Sequence, residues 1–254
     1  MPNYRGVIPG IFTTGNMVCG FLALLSAHEG EYITACWFVL LAGFLDALDG
    51  KVARLSGGAS QFGVELDSLS DFLSFGVTPA MLVYAMKLSA FGKWGWIISI
   101  VYMIAAAYRL ARYNLMADTE EKKSFVGLPV PAASFSIVTY VIFSDYLWGE
   151  LRYPEILVGM VVVMAFLMVS QVEYDPPPDR LNGPYAWVVA LVLAAGAVAI
   201  LLYPRLLLFP FTALYILFGL LREAYRLVSH GVGRVTGRMG GGSSQDKGHE
   251  NGSA

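Results

Sequence analysis

Charge is what this sequence has least of. Of its 254 residues only 14% are Asp, Glu, Lys or Arg, and 56% are hydrophobic, where a typical globular chain carries about 25% charged residues. An ordinary soluble domain is excluded. With 17 basic against 19 acidic residues, no basic array suggests nucleic acid as a partner. Cysteine is nearly missing as well. Cys19 and Cys36 both fall in apolar stretches, so packed free thiols are expected and a disulfide is not. The three histidines, His28, His230 and His249, lie away from the polar centre described below, so no histidine base is expected. The opening MPNYRGVIPGIFTTGN has no basic n-region followed by a cleavage site, and its first apolar stretch is expected to be retained.

Long apolar runs are what is there. Eight of them approach or reach the roughly 18–25 residues that cross a bilayer, near 8–27, 32–53, 65–87, 94–116, 127–147, 154–172, 183–203 and 205–229. The fold class is therefore all-α, a polytopic membrane helical bundle of about eight transmembrane helices, with six in a core and two at the C-terminal side. VEYDPPPDRLNGP separates the two groups, because a triple proline cannot continue a helix. Residues 1–172 form the expected core, 173–182 a Pro-rich linker, and 183–229 a tight hairpin broken only at Tyr203 and Pro204. The Gly/Ser-rich residues 230–254 read as a disordered cytosolic tail. Lys and Arg fall mainly on the side that holds both termini, which places that side in the cytosol of an integral membrane protein, expected in the cytoplasmic membrane of a prokaryote.

Against this background the stretch DALDGKVARLSGGASQFGVELDSLSD stands out. It puts Asp46, Asp49, Asp67 and Asp71 in or beside apolar segments, where a carboxylate normally faces a cavity, a partner or a cation. Asp46 and Asp49 are three apart and Asp67 and Asp71 four apart, so each pair shares a helix face. Four converging carboxylates repel unless divalent cations lie between them, and a metal site follows. Gly50 and Gly63 open room at the helix surfaces, Ala53 is small, and Arg54 supplies a planar cation suited to phosphate. Small residues, an arginine and divalent cations together suit a pyrophosphate ligand. A lone intramembrane aspartate would more simply be a proton relay, an ion ligand or a salt-bridge partner. Four at helical spacing, with glycines and an arginine between, are harder to explain that way.

The residues Asp46, Asp49, Gly50, Ala53, Arg54, Gly63, Asp67 and Asp71 fit D-x2-D-G-x2-A-R-x8-G-x3-D-x3-D with nothing missing, and the stretch resembles the signature of the CDP-alcohol phosphotransferases. The resemblance implies two Mg2+ or Mn2+ ions held by Asp46, Asp49, Asp67 and Asp71 at the cytosolic membrane face, with Asp71 also the general base. It implies that Gly50, Ala53, Arg54 and Gly63 pack against a cytidine nucleotide, and that the protein is a homodimer. PNYRGVIPGIFTTGNMVCGFLAL, LDSLSDFLSFGVTPA, YRLARYN and GLPVPAA further resemble the phosphatidylserine synthase branch of that family. That branch transfers a phosphatidyl group from CDP-diacylglycerol to L-serine and releases CMP. The last two helices and the tail carry no such resemblance.

Serine would need a cation for its carboxylate. Arg109 and Arg112 lie three apart near the cytosolic end of the fourth segment, and at least one is a candidate for that carboxylate or a substrate phosphate. The competing role is snorkelling to anionic headgroups. Asn16, in TTGN, is a candidate contact for the donor phosphates or a cap for a neighbouring helix. Glu65 and Ser68 flank Asp67 and are candidates for shaping the acceptor pocket. Rival readings are the same chemistry with glycerol 3-phosphate or inositol phosphate, which favours a denser basic pocket, or with an archaeal ether-lipid donor. A cation transporter would carry polar groups across the whole membrane, whereas here they cluster at one face. A prenyltransferase would carry its Asp-rich segments in separate repeats.

Overall fold

The structure is a computed structural model that describes residues 7–56, 61–117, 125–170, 173–174, 196 and 198–240, with side chains described for 10–52, 61–116, 127–170, 196 and 198–222. Its helices are α1 (Val7–His28), α2 (Tyr32–Ser56), α3 (Gln61–Asp71), α4 (Thr78–Met86), α5 (Lys93–Ala117), α6 (Val130–Trp148), α7 (Pro154–Val169) and α8 (Pro204–Gly240). A π-helical segment, Phe72–Val77, joins α3 to α4 without a break, and a short 3-10 turn, Leu88–Phe91, leads into α5. Among the described residues the remaining pairing is a two-residue antiparallel bridge, Phe125 with Tyr174 and Val126 with Glu173.

Among the described residues six paths are long and apolar enough to cross a membrane, Gly10–His28, Tyr32–Val52, Gln61–Met86, Lys93–Met116, Val130–Trp148 and Pro204–Arg222. The protein is a polytopic helical membrane protein. Large apolar side chains such as Phe21, Phe44, Trp94, Ile104, Phe166 and Phe218 point outward, which suits a hydrocarbon solvent. Cys19 and Cys36 are buried free thiols.

The sixth apolar run is shorter than its composition suggests. α7 spans 16 residues and stops at Ser170, about 24 Å of helix at 1.5 Å per residue. Its end is taken by the segment before α6. Leu128 N–H donates to the Leu167 carbonyl at 3.1 Å, and Gly127, at φ +87°, passes so close that a Cβ there would lie 2.6 Å from the Met168 carbonyl. The seventh run, 183–203, is described only at 196 and 198–202, which are helical; Tyr203 then bends the chain into α8. α8 runs to Gly240, so helix continues past His230, where composition predicted the tail to begin. Extending an existing helix adds one hydrogen bond per residue with no new nucleus, which makes such continuation inexpensive. Residues 241–254 and most of the linker lie outside the described residues.

Packing sets α1 at the centre. α1 and α2 form an antiparallel hairpin whose turn places Gly30 at φ +83°, and the Glu31 N–H closes back on the Ser26 carbonyl at 2.8 Å. On its other side α1 meets the α3–π–α4 path through three hydroxyls spaced four apart. Ser70 donates to the Thr13 carbonyl, Ser74 to the Asn16 carbonyl and Thr78 to the Gly20 carbonyl, each at 3.1 Å. Gly20 permits the approach, because a Cβ there would lie 2.3 Å from Ser74 Oγ.

The π segment has a local cause. Pro79 has no N–H, so the carbonyl of Phe75 loses its helical donor, and the buried Tyr102 hydroxyl of α5 supplies one at 3.2 Å. Thr78 N–H reaches back to Leu73, five residues before it. α2 meets α6 at Gly43, where Phe135 fills the space a Cβ would take and stands edge-on to Phe75 at 5.8 Å. α8 docks on α6 through Thr139 and Thr212, 3.2 Å apart, and through Tyr140 and Phe209, with ring centroids 5.1 Å apart.

Gly20→Ala is therefore expected to lower the thermal midpoint of the detergent-solubilised protein, by an overpacking cost of about 1–3 kcal/mol. Gly159→Ala, where a Cβ meets nothing within 4 Å, should leave it unchanged or raised. Equal midpoints for the two variants would contradict the close α1–π contact.

Candidate metal and substrate site

The acids meet at one end of the bundle, where α1, α3 and α6 begin and α2 and α5 finish. One helical turn separates Asp46 from Asp49 on α2 and Asp67 from Asp71 on α3. Carboxylate oxygens of Asp46, Asp67 and Asp71 all lie within 4.8 Å of one another. Asp49 stands beside the trio, near enough for its charge to act on all three. It is drawn toward α1, where the Thr13 hydroxyl donates to Asp49 Oδ2. The sequence thus led to four converging carboxylates, and the geometry is three that converge with a fourth alongside.

Two features make this a place for a cation. Asp49 and Asp71 are 6% and 9% exposed, and carboxylates so close together in a low-dielectric surrounding repel one another strongly. Asp49 Oδ1 and Asp67 Oδ1 are buried with no hydrogen-bond partner among the described residues, leaving acceptor capacity unspent. The donor set is all carboxylate oxygen, which fits a hard divalent ion such as Mg2+ or Mn2+ better than a soft one. Asp46, Asp67 and Asp71 could hold such an ion, with Asp49 next to it.

The other expected residues divide. Gly50 is exposed on α2, and a Cβ added there would meet nothing within 4 Å among the described residues. Gly63 is half-buried on α3. Ala53 and Arg54 belong to α2, but their side chains lie outside the described residues. Asn16 is fully buried on α1, and its amide donates to Asp71 Oδ1 at 3.0 Å, so the candidate donor contact touches an acid of the trio. Glu65 is exposed. Ser68 accepts from Asn114 Nδ2 of α5 at 2.9 Å, tying α5 to the residue next to Asp67.

Arg109 is 7% exposed, far more buried than a snorkelling side chain, and its Nε has no partner among the described residues. Its guanidinium lies over the Tyr113 ring at 5.1 Å, a contact that favours a cation without neutralising it. Arg112 is half-buried. Thr13 and Asn114 escaped the sequence reading. Thr13 is one of two adjacent threonines in an apolar helix, with nothing to distinguish it from Thr14, which donates to its own helix at Gly10.

Fold and site together define a polytopic helical membrane protein with a carboxylate site fit for a divalent cation. The model of the CDP-alcohol phosphatidyltransferase family matches residues 6–172, and the chain belongs to that family. It is similar to a CDP-diacylglycerol–serine O-phosphatidyltransferase of Helicobacter pylori, 33% identical over 225 residues, covering 87% of this chain and 93% of that protein. It is also 34% identical over 181 residues to an archaetidylserine synthase of Methanothermobacter thermautotrophicus, covering 70% of this chain and 73% of that one. Among solved structures, Mycobacterium tuberculosis phosphatidylinositol phosphate synthase with CDP-DAG bound is 22% identical, covers 66% of this chain and 82% of its own, and gives a TM-score of 0.45.

Mn2+ is expected to raise the thermal midpoint of the wild-type protein, since a ligand bound only by the folded state adds about 2.7 kcal/mol at a hundred times its Kd. Asp67→Asn should abolish most of that shift. A full Mn2+ shift in Asp67→Asn would remove Asp67 from the site.

Proposed function

We propose that the protein transfers a phosphatidyl group from CDP-diacylglycerol to the hydroxyl of L-serine, giving phosphatidylserine and CMP. The observation that carries this reading is the reach of the similarity. The family model ends at residue 172, but the match to a relative named as a CDP-diacylglycerol–serine O-phosphatidyltransferase extends over 87% of this chain, beyond the residues the family model matches. The 34% identity to an archaetidylserine synthase favours the same acceptor and leaves the lipid tails of the donor as a second reading.

In this account Asp46, Asp67 and Asp71, with Asp49 beside them, hold one or two divalent cations at the cytosolic face, the side favoured by the excess of Lys and Arg. When bound, Mg2+ or Mn2+ supplies positive charge for the pyrophosphate oxygens and the departing CMP. The open surface over Gly50, together with Gly63, Ala53 and Arg54, receives the cytidine nucleotide. Arg109, buried and without a carboxylate partner among the described residues, takes the serine carboxylate. A neutral residue there would need no counter-charge, so burial of a cation is best explained by an anionic ligand. Arg112, three residues from Arg109, and Glu65 and Ser68, beside Asp67 on α3, are the further candidates for the acceptor side.

The reaction is an in-line displacement. The serine hydroxyl oxygen forms a bond to the phosphorus that carries the diacylglycerol, and the bond from that phosphorus to the bridging oxygen breaks. The hydroxyl proton passes to Asp71, and the electron pair leaves with CMP. Residues 1–172 supply this core, 183–229 are accessory helices, and the working unit is a homodimer, as the family resemblance implies.

Purified protein with CDP-diacylglycerol and Mn2+ is expected to release CMP faster with L-serine than with glycerol 3-phosphate or inositol phosphate. Faster release with either phosphate acceptor would overturn the assignment. Asp71→Asn should lose turnover by at least the roughly hundredfold typical of a missing general base and still bind the CDP-lipid. Arg109→Ala should raise KM for serine with little change in KM for the donor; the opposite pattern would move Arg109 to the donor phosphates.

A further inference from the structure

α1 makes two contacts with the carboxylates that the transfer reaction, as proposed, does not require. Thr13 and Asn16, three residues apart and on one face, each donate to a different half of the aspartate stretch. Thr13 takes Asp49 of α2 and Asn16 takes Asp71 of α3. Both donors are buried, at 2% and 0% exposure. The orientation of the Asn16 amide is dictated by its partner, since turning it over would set its carbonyl oxygen against the Asp71 carboxylate. Asn16 Oδ1 is buried with no partner among the described residues. An amide held purely as structural glue would be expected to have both ends satisfied, because an unpaired buried acceptor costs about 1–3 kcal/mol.

The register of these contacts is fixed by backbone atoms of the same residues. The carbonyl of Thr13 accepts from Ser70, one residue before Asp71, and the carbonyl of Asn16 accepts from Ser74, three residues after it. α1 thus holds the Asp71 turn from both sides while its side chains hold the acids. The π segment begins directly after Asp71. It changes the helical phase there, so the hydroxyl ladder continues along α1 through Thr78 without carrying Asp71 off its partner.

We propose that Thr13 and Asn16 are positioning residues that aim the two halves of the carboxylate site, each occupying one oxygen of its aspartate and leaving the other for the cation and the acceptor hydroxyl. On this inference Asn16 acts through Asp71 and does not touch the donor phosphates. It deepens the reading of Asp71 as the proton acceptor and rests on it, but the Mn2+ arm of its test does not depend on the acceptor being serine.

The experiment compares wild type, Thr13→Val, Thr13→Ser, Asn16→Ala and Asn16→Asp as full chains in detergent. Thr139→Val, which removes a hydroxyl at the α6–α8 contact, is the structural control. Two assays are run: steady-state kinetics, giving kcat and KM for CDP-diacylglycerol and serine, and Mn2+ electron paramagnetic resonance, giving the Mn2+ concentration that half-saturates binding. Loss of an outer partner of a metal ligand typically costs about 10–100-fold in affinity or activity. Thr13→Val is expected to weaken Mn2+ binding by about tenfold on that scale, with Thr13→Ser close to wild type. Asn16→Ala should lower kcat at least tenfold with KM for CDP-diacylglycerol within about twofold, and Asn16→Asp, which sets two carboxylates face to face, should lower it further.

A raised KM for CDP-diacylglycerol with unchanged kcat in Asn16→Ala would make Asn16 a donor contact and overturn the proposal. So would Mn2+ binding unchanged in Thr13→Val, or a kcat loss in Thr139→Val equal to that in Asn16→Ala, which would mark the effect as general destabilisation. If wild type releases no CMP with serine while Thr13→Val still weakens Mn2+ binding, the choice of acceptor fails and the positioning role of Thr13 stands.

Discussion

Several carboxylates held within a few ångströms of one another in an apolar bundle are the constraint on which this structure turns. An acid at the centre of a membrane helix costs about 2.5–3.5 kcal/mol even on the most lenient scale, and close neighbours of like charge add to that. Few arrangements tolerate it. The chain gathers Asp46, Asp67 and Asp71 at one end of the bundle, gives Asp49 and Asp71 one hydrogen bond each from α1, and leaves buried oxygen lone pairs on Asp49 and Asp67. A divalent cation would resolve the remainder, and an all-carboxylate donor set suits a hard, doubly charged ion.

Helices α1 to α6 can be understood as support for that point. Hydroxyls at Ser70, Ser74 and Thr78 bond main-chain carbonyls of α1, where side-chain size at Gly20 has been given up to allow it. Tyr102 of α5 replaces the donor that Pro79 removes, so the Phe75 carbonyl of the π segment is paired in a medium without water. Asn114 reaches Ser68 from the end of α5. These hydrogen bonds lie along α3, the π segment and the start of α4, beside and after Asp67 and Asp71. Over the rest of the molecule large apolar residues pack inward or face lipid.

Much of this was legible in the sequence, for a physical reason. Charges are so disfavoured in apolar helices that Asp46, Asp49, Asp67 and Asp71 announced a site by being present, and their spacing defined the helix faces. Helix ends at His28, Met86 and Trp148 lie within about two residues of where the apolar runs stop, a margin usual for such boundaries. Phe72–Val77 did not reveal its π geometry, because an apolar run reads alike in α and π form. The division between the convergent trio and Asp49 was hidden as well, since it depends on Thr13, a residue type common in membrane helices. α7 looked long enough to span because hydropathy cannot register that the Leu128 N–H takes the Leu167 carbonyl and that Gly127 packs against the Met168 carbonyl beside it. Arg109 was singled out by its charge, but its burial and unpaired Nε depend on the packing of α5.

The most direct measurement of the account is the anomalous scattering of Mn2+ in crystals of the protein grown with CDP-diacylglycerol. A peak bounded by oxygens of Asp46, Asp67 and Asp71, with the Asn16 amide still on Asp71 and the nucleotide over Gly50, is the result expected. A cation bound elsewhere, or carboxylates that stay together with no ion among them while the CDP-lipid is in place, would contradict it.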